Sequence, residues 1–569
     1  MSTRFLILFL LLSNLIYAQA PAPEDFHTPV SIPIKLSGNF GELRSNHFHS
    51  GIDIKTEGKT GLPIYAAANG EVSRIKISPS GFGLALYLDH PNGKTTVYAH
   101  LLSFRDDIQA YAKKIQYERE SFAVDLAVPQ GTFQVKKGEL IAHSGNSGSS
   151  GGPHLHFEIR DTESQKPQNP LLYKFPVIDD MKPKILAVAI YPLSEDAHVY
   201  GKPDSRLIET VYYDGAYHLK GNPTIPVYGK VGFGLQTMDY LNGSWSKCGV
   251  YEISLSVDQQ PIYSFRLDEF SFDETRYLNS HIDYAHYRQH ARRIQRNWVE
   301  QGNKLSNYPT LENQGIVNLS DGQPHQINYV VKDVYGNKST LAFRVKSRAS
   351  ALDKPEKNGP LISFDEETIF EKPGVEAHFT AGTFYSDFNL EYAKKPANNL
   401  YYSPLHKLHN DRLPVHHSYL LKIKADELPD SLQPKSLIAV IDEKSGKKWS
   451  LGGAYKDGWV TARIRQMGTF AISVDTVAPT IRPLSIQGRK SLTEKNRIRF
   501  KISDDFSGID SYRGEIDGQW VLFEYDAKNS LITYSFDKDR FQFGKQHQLN
   551  LTVTDNKGNA TKYEATFYR

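Results

Sequence analysis

The chain has 569 residues, of which 23% are charged and 39% are hydrophobic, and its net charge at pH 7 is only +3. This length predicts roughly four domains, and this composition excludes a disordered chain and a multi-span membrane protein. The weak charge gives no reason to expect a nucleic-acid partner, and the single cysteine, Cys248, excludes an internal disulfide framework. The 33 tyrosines and the frequent β-branched residues favour a mainly β fold.

The first twenty residues have the pattern of an export signal. An apolar run from Phe5 to Tyr17 follows one positive charge, and Ala18-Gln19-Ala20 supplies small residues at the spacing that a signal peptidase reads. The run is shorter than a membrane span, which needs about 20 residues. We therefore predict a signal peptide over residues 1–20, a periplasmic or secreted protein, and no transmembrane segment in the mature chain. The alternative is an N-terminal anchor helix.

Residues 21–175 are predicted to form a β-rich first domain. Two of its predicted strands, Leu84 to His90 and Thr95 to His100, flank the turn Pro91-Asn92-Gly93. From Phe104 to Phe122 the pattern changes to helix formers with apolar residues at helical spacing. The sequence thus predicts a helical insertion in a β domain.

A repeated pattern marks the rest of the chain. The sequence from Gly322 to Asn337 matches that from Gly544 to Asn559 at a constant offset, and each copy is an alternating strand with an Asp-x-x-Gly-Asn turn. Such a hairpin is typical of the end of a sandwich. We predict immunoglobulin-like β-sandwiches at 176–348 and 477–569, with a third β domain at 357–476 between them.

Two further features of this half of the chain have competing interpretations. The turn residues Asp333 and Asp555 are interpreted as turn-stabilising aspartates, with calcium binding at the sandwich edge as the alternative. A helix is predicted from Leu278 to Glu300, where His281, His286 and His290 lie among arginines. We interpret these histidines as part of a basic, solvated face rather than as metal ligands.

The residue patterns that carry chemistry lie in the first domain. His49-Ser50-Gly51-Ile52-Asp53 places a histidine and a carboxylate four residues apart, and His154-Leu155-His156 places two imidazoles two residues apart. On strands, these even spacings put the side chains of each motif on one face. Two adjacent strands can then present two imidazoles and one carboxylate to one point, as in a catalytic zinc site with an open fourth position. The spacing leaves open which histidine of the second motif binds the metal.

These motifs occur together with others in a distinctive order. Arg44 to Ile54 reads Arg-Ser-Asn-His-Phe-His-Ser-Gly-Ile-Asp-Ile, Tyr98-Ala99-His100-Leu101 follows, and a run rich in glycine and serine from Gly145 leads into His154-Leu155-His156. As a set, they resemble the lysostaphin-type (LytM-like) zinc metallopeptidases, which cleave peptide cross-links of bacterial peptidoglycan. The resemblance covers about residues 40–172, less than a third of the chain.

The resemblance implies a role for each of five residues. His49, Asp53 and His156 would bind one Zn²⁺ per chain. His100 and His154 would be non-ligand catalytic histidines that orient the attacking water, move its proton and steady the oxyanion. Bound zinc would lower the pKa of that water to about 7 and polarise a carbonyl oxygen.

The predicted function is an exported zinc metalloendopeptidase that hydrolyses peptide cross-links or stem peptides of peptidoglycan. The alternative is a non-catalytic cell-wall-binding or regulatory protein with a LytM-like domain. The C-terminal β domains could bind the wall, a protein partner or the catalytic cleft. The stretch from Phe104 to Lys136 is longer than the usual connection in the family, and could narrow the cleft or act as a lid.

Two other features near the predicted site are assigned no catalytic role. Gly148 to Gly152 satisfies Gly-x-Ser-x-Gly, but the serine hydrolase device needs a helix after the serine, and Pro153 with a β-type run follows here. His47, two residues before a proposed ligand, is interpreted as an exposed neighbour.

Overall fold

The computed structural model describes residues 26–352, 358–396, 399–486, 491–537 and 540–569. The predicted signal peptide lies outside these residues. Within them the chain is mainly β, as predicted, and its sheets form four successive groups, called here the first to fourth β regions. No helix in the described part of the chain is long and apolar enough to cross a membrane.

The first β region is built on an 11-stranded sheet. Its main path, in spatial order, is Leu36–Gly38, Ile52–Lys55, His154–Asp161, Lys94–Phe104, Leu84–Asp89, Gly70–Ile77 and Val124–Ala127. Four short strands pair beside this path: Pro63–Tyr65, Gln134–Val135, Leu140–Ser144 and Pro167–Gln168. The predicted helical insertion is confirmed as the α-helix Asp106–Glu118, and a 3-10 turn follows at Pro170–Tyr173.

The register of three neighbouring strands brings the predicted site residues together. His156 lies opposite Asp53 on one side and opposite Ala99 on the other. Residues directly opposite each other on antiparallel strands point to the same face of the sheet. The predicted metal ligands of two distant motifs therefore share one face.

The second β region is a 12-stranded sheet. Its main path is His198–Val199, Ile225–Met238, Lys184–Pro192, Arg206–Tyr213, Ala216–Leu219, Lys338–Ser347, Pro324–Lys332, Glu252–Val257, Gln260–Arg266 and Thr310–Leu311. The strands Gln295–Arg296 and Val317–Leu319 pair beside it, and its 3-10 turns are Thr275–Tyr277 and Asn313–Gly315.

The single helix predicted from Leu278 to Glu300 is wrong. The structure has two short helices, Leu278–His281 and Tyr284–His290, and the chain then extends into a strand. The second helix ends at Ala291, which adopts a left-handed conformation. His281 is 1% exposed and lies within hydrogen-bond distance of Gln295 Oε1, at 3.1 Å. The solvated face predicted for it is therefore wrong, because tertiary packing buries the ring.

The third and fourth β regions each contain a pair of larger antiparallel sheets. In the third, these are Thr368–Lys372, Val375–Phe379, Tyr419–Lys424, Trp459–Ile464 and Ala454–Lys456, against Tyr392–Lys395, Leu405–Leu408, Gly468–Val474, Ser436–Ile441 and Lys448–Ser450. A strand pair Leu361–Ile362 and Phe388–Asn389 and the 3-10 helix Asp430–Lys435 complete it. In the fourth, they are Thr480–Pro483, Arg497–Ser503, Leu531–Ser535 and Phe523–Asp526, against Gln519–Trp520, Ile509–Ile516, Gln546–Asp555 and Ala560–Tyr568, with a 3-10 turn at Ala527–Asn529.

Both repeated hairpins are confirmed. Pro324–Lys332 pairs with Lys338–Ser347, and Gln546–Asp555 pairs with Ala560–Tyr568, in the same register. In each turn, Oδ1 of the aspartate accepts two backbone N–H bonds, at 2.9 Å in Asp333 and at 2.7 and 2.9 Å in Asp555. The aspartates are therefore turn-stabilising, as predicted. The immunoglobulin-like class of the two sandwiches stays a prediction.

The fourth β region packs against the helical insertion of the first. The rings of Tyr117 and Trp520 lie 5.3 Å apart, edge to face. Nζ of Lys113 lies 2.6 Å from a carboxylate oxygen of Asp537. The helix predicted as an insertion is thus held between the first and last parts of the chain.

A second contact joins the same two regions nearer the site. The ammonium of Lys528 donates to the backbone oxygen of Asn146, in the loop that precedes His154. A cavity of about 460 Å³ lies between the regions, with Leu102 and Tyr525 among its lining residues. The C-terminal sandwich therefore borders the loop beside the predicted metal site.

The first and second β regions share an apolar core, and Phe48 tests its contribution. Phe48 is 1% exposed, and its ring lies 5.6 Å from that of Phe270. We expect Phe48→Ala to lower the free energy of unfolding by about 3–5 kcal/mol, the usual cost of truncating a buried phenylalanine. Urea denaturation measures this. Ile178→Ala, at a site 75% exposed between the two regions, is the control, and an equal effect of both substitutions would contradict the shared core.

Candidate metal centre

Three side chains converge beside the strand Ile52–Lys55. Nε2 of His49 lies 3.1 Å from Oδ1 of Asp53 and 3.0 Å from Nδ1 of His156. The latter two atoms are themselves 3.0 Å apart. The three residues are 2%, 5% and 3% exposed, respectively. Two imidazole nitrogens and one carboxylate oxygen thus form a compact, buried triangle.

This triangle fits one face of a tetrahedral zinc site. With bonds of about 2.0–2.1 Å to nitrogen and oxygen, tetrahedral zinc holds its ligand atoms about 3.3 Å apart. The three separations of 3.0 to 3.1 Å approach that value, so small side-chain shifts suffice to admit the ion. Three protein ligands leave a fourth position for water or substrate, which is the pattern of catalytic rather than structural zinc.

The prediction that His49 and Asp53 share one face of a strand is wrong in its structural detail. Asp53 lies on the strand Ile52–Lys55, whereas His49 precedes it in an irregular segment. The ring of His49 is oriented by its own contact, because its Nδ1 lies 2.7 Å from the backbone oxygen of Asn39. That bond leaves Nε2 free for the triangle. The two residues therefore converge through a loop and a strand.

Gly51, between the predicted ligands His49 and Asp53, allows this segment to pass close to the neighbouring strand. A Cβ atom at Gly51 would lie 2.3 Å from the backbone oxygen of Phe157 on the neighbouring strand. Any side chain there would push the ligand-bearing segment away from the strand that carries His156.

His100 reaches the site through a break in strand regularity. Its φ of +59° is in the left-handed region, which non-glycine residues seldom adopt. Tyr98 and Leu101 both lie in the apolar core on one side of the sheet, whereas Ala99 belongs to a small cluster apart from it. Two consecutive residues, Ala99 and His100, therefore face away from that core, as at a β-bulge. This conformation places the ring of His100 on the side of the sheet where the triangle lies.

His100 and His154 have matching hydrogen bonds. Nδ1 of His100 lies 2.9 Å from the backbone oxygen of Ser147, and Nδ1 of His154 lies 2.9 Å from that of Gly152. A carbonyl oxygen only accepts, so each Nδ1 carries a hydrogen, and Nε2 of the neutral His100 ring is left as an acceptor. The two ring centroids are 4.8 Å apart, and Nε2 of His154 lies 3.4 Å from Oδ1 of Asp53. Both rings thus stand beside the triangle.

Glu158 is a supporting residue that the motifs alone did not indicate. It is fully buried, and its Oε1 lies 2.8 Å from Nε2 of His156. Oε1 also accepts from the hydroxyl of Ser50, and Oε2 accepts from Nε of Arg160 at 2.6 Å. A carboxylate behind a metal-binding histidine fixes the ring and raises its basicity. The available signal was the alternation of His154, His156 and Glu158 along one strand.

Arg44 is the second supporting residue outside the predicted set. Its Nη2 donates to Oδ2 of Asp53 at 2.5 Å, which leaves Oδ1 to the histidines. The cation thus selects which oxygen of Asp53 faces the metal position.

These contacts shift the pKa values of the site. Burial lowers the pKa of His156, but the hydrogen bonds that its ring donates to the carboxylates of Asp53 and Glu158, with their negative charge, outweigh burial and raise it to about 9 in the metal-free protein. Burial would raise the pKa of Asp53, but His49 and the other histidines hold it well below its usual range. Burial and the two neighbouring histidines lower the pKa of His100 to about 3. His100 is therefore neutral in the metal-free protein.

The two features that were assigned no role behave as expected. His47 is exposed and its Nδ1 lies 2.8 Å from the backbone oxygen of Ser45. Ser150 is followed by the strand His154–Asp161 rather than by a helix, and its hydroxyl donates to the oxygen of Gly152 at 2.7 Å. It lies in the loop that orients His154, without the surroundings of a serine nucleophile.

The comparisons with known sequences agree with this geometry. Residues 47–115 and 123–170 match peptidase family M23, and residues 360–475 match the Zu5-like domain. A DD-carboxypeptidase/endopeptidase of Neisseria meningitidis, Mpg, is 31% identical over 147 residues, which cover 25% of this chain and 27% of that protein. An uncharacterized metalloprotease of Haemophilus influenzae is 33% identical over 128 residues, which cover 22% of this chain and 21% of that protein. The chain thus spans about a quarter of the length of these relatives.

The comparison with solved structures also gives a partial likeness. The catalytic domain of the antimicrobial peptidase lysostaphin from Staphylococcus simulans is 23% identical, covering 24% of this chain and 90% of that domain, with a TM-score of 0.19. The sequence matches, together with the site, define the class: the N-terminal region carries a peptidase M23 (LytM-like) domain.

Zinc affinity should depend on pH with a definite sign. The metal-free protein keeps a proton on His156 below about pH 9, and zinc must displace it. The association constant should therefore fall about tenfold per unit as the pH is lowered from about 8 to about 6. Competition with a chromophoric chelator measures it. An association constant independent of pH would show that His156 carries no such proton.

Removing the carboxylate behind His156 should weaken metal binding without removing a ligand. Glu158→Gln keeps the shape but loses the charge that His156 and Arg160 share, so we expect a loss of about 10–100-fold in zinc affinity. Glu163→Gln, at an exposed position just past the same strand, is the matched control. Equal zinc affinity in the two variants would remove Glu158 from the site.

Proposed function

We propose that this protein is an exported zinc metalloendopeptidase that hydrolyses peptide bonds in the cross-links or stem peptides of bacterial peptidoglycan. The observation that carries the proposal is the buried triangle of His49, Asp53 and His156, with two further histidines beside it. Non-catalytic wall binding requires neither the open metal position nor the two polarised imidazoles. The complete set therefore favours catalysis over the binding-only alternative.

In this proposal the chain's own residues position the substrate water and handle its proton. Bound zinc supplies an acidified water and polarises the scissile carbonyl. His100 presents a bare Nε2, because it donates its Nδ1 hydrogen to a backbone oxygen, and His154 donates its Nδ1 hydrogen in the same way. A neutral imidazole so oriented accepts the proton of the attacking water and returns it to the leaving amine. While it holds the proton, the same ring also donates a hydrogen bond to the developing oxyanion.

The substrate class and the location are proposed from other observations. The relative in Neisseria is named as a DD-carboxypeptidase/endopeptidase, which is the chemistry proposed here for peptidoglycan peptides. Export is proposed from the apolar run and small-residue pattern of residues 1–20. We likewise propose four domains, at 21–175, 176–348, 357–476 and 477–569. The domains at 176–348 and 477–569 would be immunoglobulin-like. A protein or wall partner for the C-terminal domains belongs to the same proposal.

Digestion of purified sacculi tests the function and separates the roles of the histidines. The zinc-loaded full chain should release peptide fragments, and their masses identify the bond cleaved. His156→Ala should lose bound zinc and all release. His100→Ala should keep stoichiometric zinc, measured by mass spectrometry of metals, and lose about 10²–10⁴-fold in rate because only the proton transfer is removed.

His47→Ala is the matched control, since it removes an exposed histidine two residues from a ligand. It should leave zinc content and fragment release unchanged. Fragment release by His156→Ala at the wild-type rate would overturn the proposed mechanism. Full zinc content with no release by the wild-type chain would overturn the proposed substrate.

A further inference from the structure

A second group of potential metal ligands, made of aspartates alone, lies between the first and second β regions. One carboxylate oxygen from each of Asp179, Asp239 and Asp333 lies within 4.8 Å of those of the other two. The three residues line a small cavity of about 10 Å³ together with Asn39 and Asn169 of the first β region. That volume is about the size needed by one water molecule or one ion.

Asp239 points to a missing ligand in this cavity. The residue is only 2% exposed, and its Oδ1 has no hydrogen-bond partner among the described residues. A buried, unpaired carboxylate oxygen is costly, and native structures seldom leave one without a cation or a donor. The oxygen therefore requires a partner, and none of the described residues provides one.

The electrostatics of the group show the same deficit of positive charge. Burial, followed by repulsion from the other two carboxylates, raises the pKa of Asp239 to about 8. Burial and the neighbouring carboxylates also raise the pKa of Asp179 to about 7. A bound cation would relieve both effects.

A comparable aspartate group in the fourth β region has the same arrangement but different neighbouring charges. Asp475, Asp504 and Asp555 cluster in the same way, at the segment leading into the sandwich and at the repeated turn. The turn asparagines make the same contact. Nδ2 of Asn337 donates to the backbone oxygen of Asp179, and Nδ2 of Asn559 donates to the backbone oxygen of Asp475, both at 3.0 Å. The two groups are thus built by the same local architecture.

The equivalent group already has its own positive charges. The carboxylate of Asp475 acts on the pKa of both Lys448 and Lys557, which lie close to it. The charged groups that act on Asp239 are Asp179 and Asp333, both acidic. Oδ1 of Asp504 likewise has no hydrogen-bond partner among the described residues, so the first group differs in its electrostatics: the charged groups that act on Asp239 are acidic.

We propose that Asp179, Asp239 and Asp333 bind one hard divalent cation, with calcium as the best fit. Carboxylate oxygens without nitrogen or sulfur ligands select calcium or magnesium over zinc. Calcium accepts irregular sets of oxygen ligands, completed by backbone oxygens and water, whereas magnesium demands near-ideal octahedral geometry. The ion would tie the segment that leaves the first β region to the repeated turn of the second β region, so its role is to stabilise the junction between these two regions.

Calcium binding to the zinc-loaded full chain tests the proposal. Equilibrium dialysis with calcium up to about 5 mM, a range that covers weak calcium modules, should show a tight site in the wild type. Asp239→Asn should lose this site. Asp504→Asn, the same substitution in the equivalent group, should retain it. Equal binding by Asp239→Asn and the wild type would overturn the proposal, as would the lack of binding by the wild type.

Thermal unfolding distinguishes an ion site from a purely structural role. Calcium should raise the Tm of the wild type, and Asp239→Asn should abolish that rise while leaving the Tm without calcium equal or higher, because it removes a repelling charge. A Tm lowered equally with and without calcium would overturn the proposal. If Asp239→Asn fails to fold, as judged by circular dichroism, the half-buried Asp179→Asn is measured in its place with the same expected loss.

Discussion

The structure of the candidate site depends on one register of backbone hydrogen bonds. His156 lies opposite Asp53 and Ala99 at the same time, across three neighbouring strands. A slip of one residue in either pair would turn His156 to the other face of the sheet and separate it from its partners. The ligand triangle, the bulge at His100 and the support from Glu158 all presuppose this register.

The site is also a balance between buried charges. Asp53 is held by Arg44 on one oxygen and by histidines on the other, and Glu158 lies between His156 and Arg160. Buried carboxylates are tolerated because each has a cationic or metal-binding partner. In the part of the chain that the structure describes, Asp239 at the junction of the first two β regions has no such partner for its Oδ1. The same reasoning that explains the first site thus singles out the second.

Much of this organisation could be predicted from the sequence, and the rest depends on tertiary contacts. The helical insertion and both repeated hairpins follow from local periodicity and turn residues, and the five site residues follow from motifs in a fixed order. His49 was expected on a strand, but its ring is placed by the backbone oxygen of Asn39. The helix predicted from Leu278 ends early, since the chain beyond Ala291 pairs with a distant strand. No local pattern indicates that Asp179 and Asp239 meet Asp333.

The contact of the C-terminal sandwich with the loop beside the site has a mechanical meaning. Lys528 holds the carbonyl of Asn146, and the next carbonyl along the chain, that of Ser147, receives the hydrogen of His100. One peptide unit therefore separates the carbonyl that Lys528 contacts from the carbonyl that fixes the tautomer of His100. The fourth β region therefore contributes to the structural support of the N-terminal site.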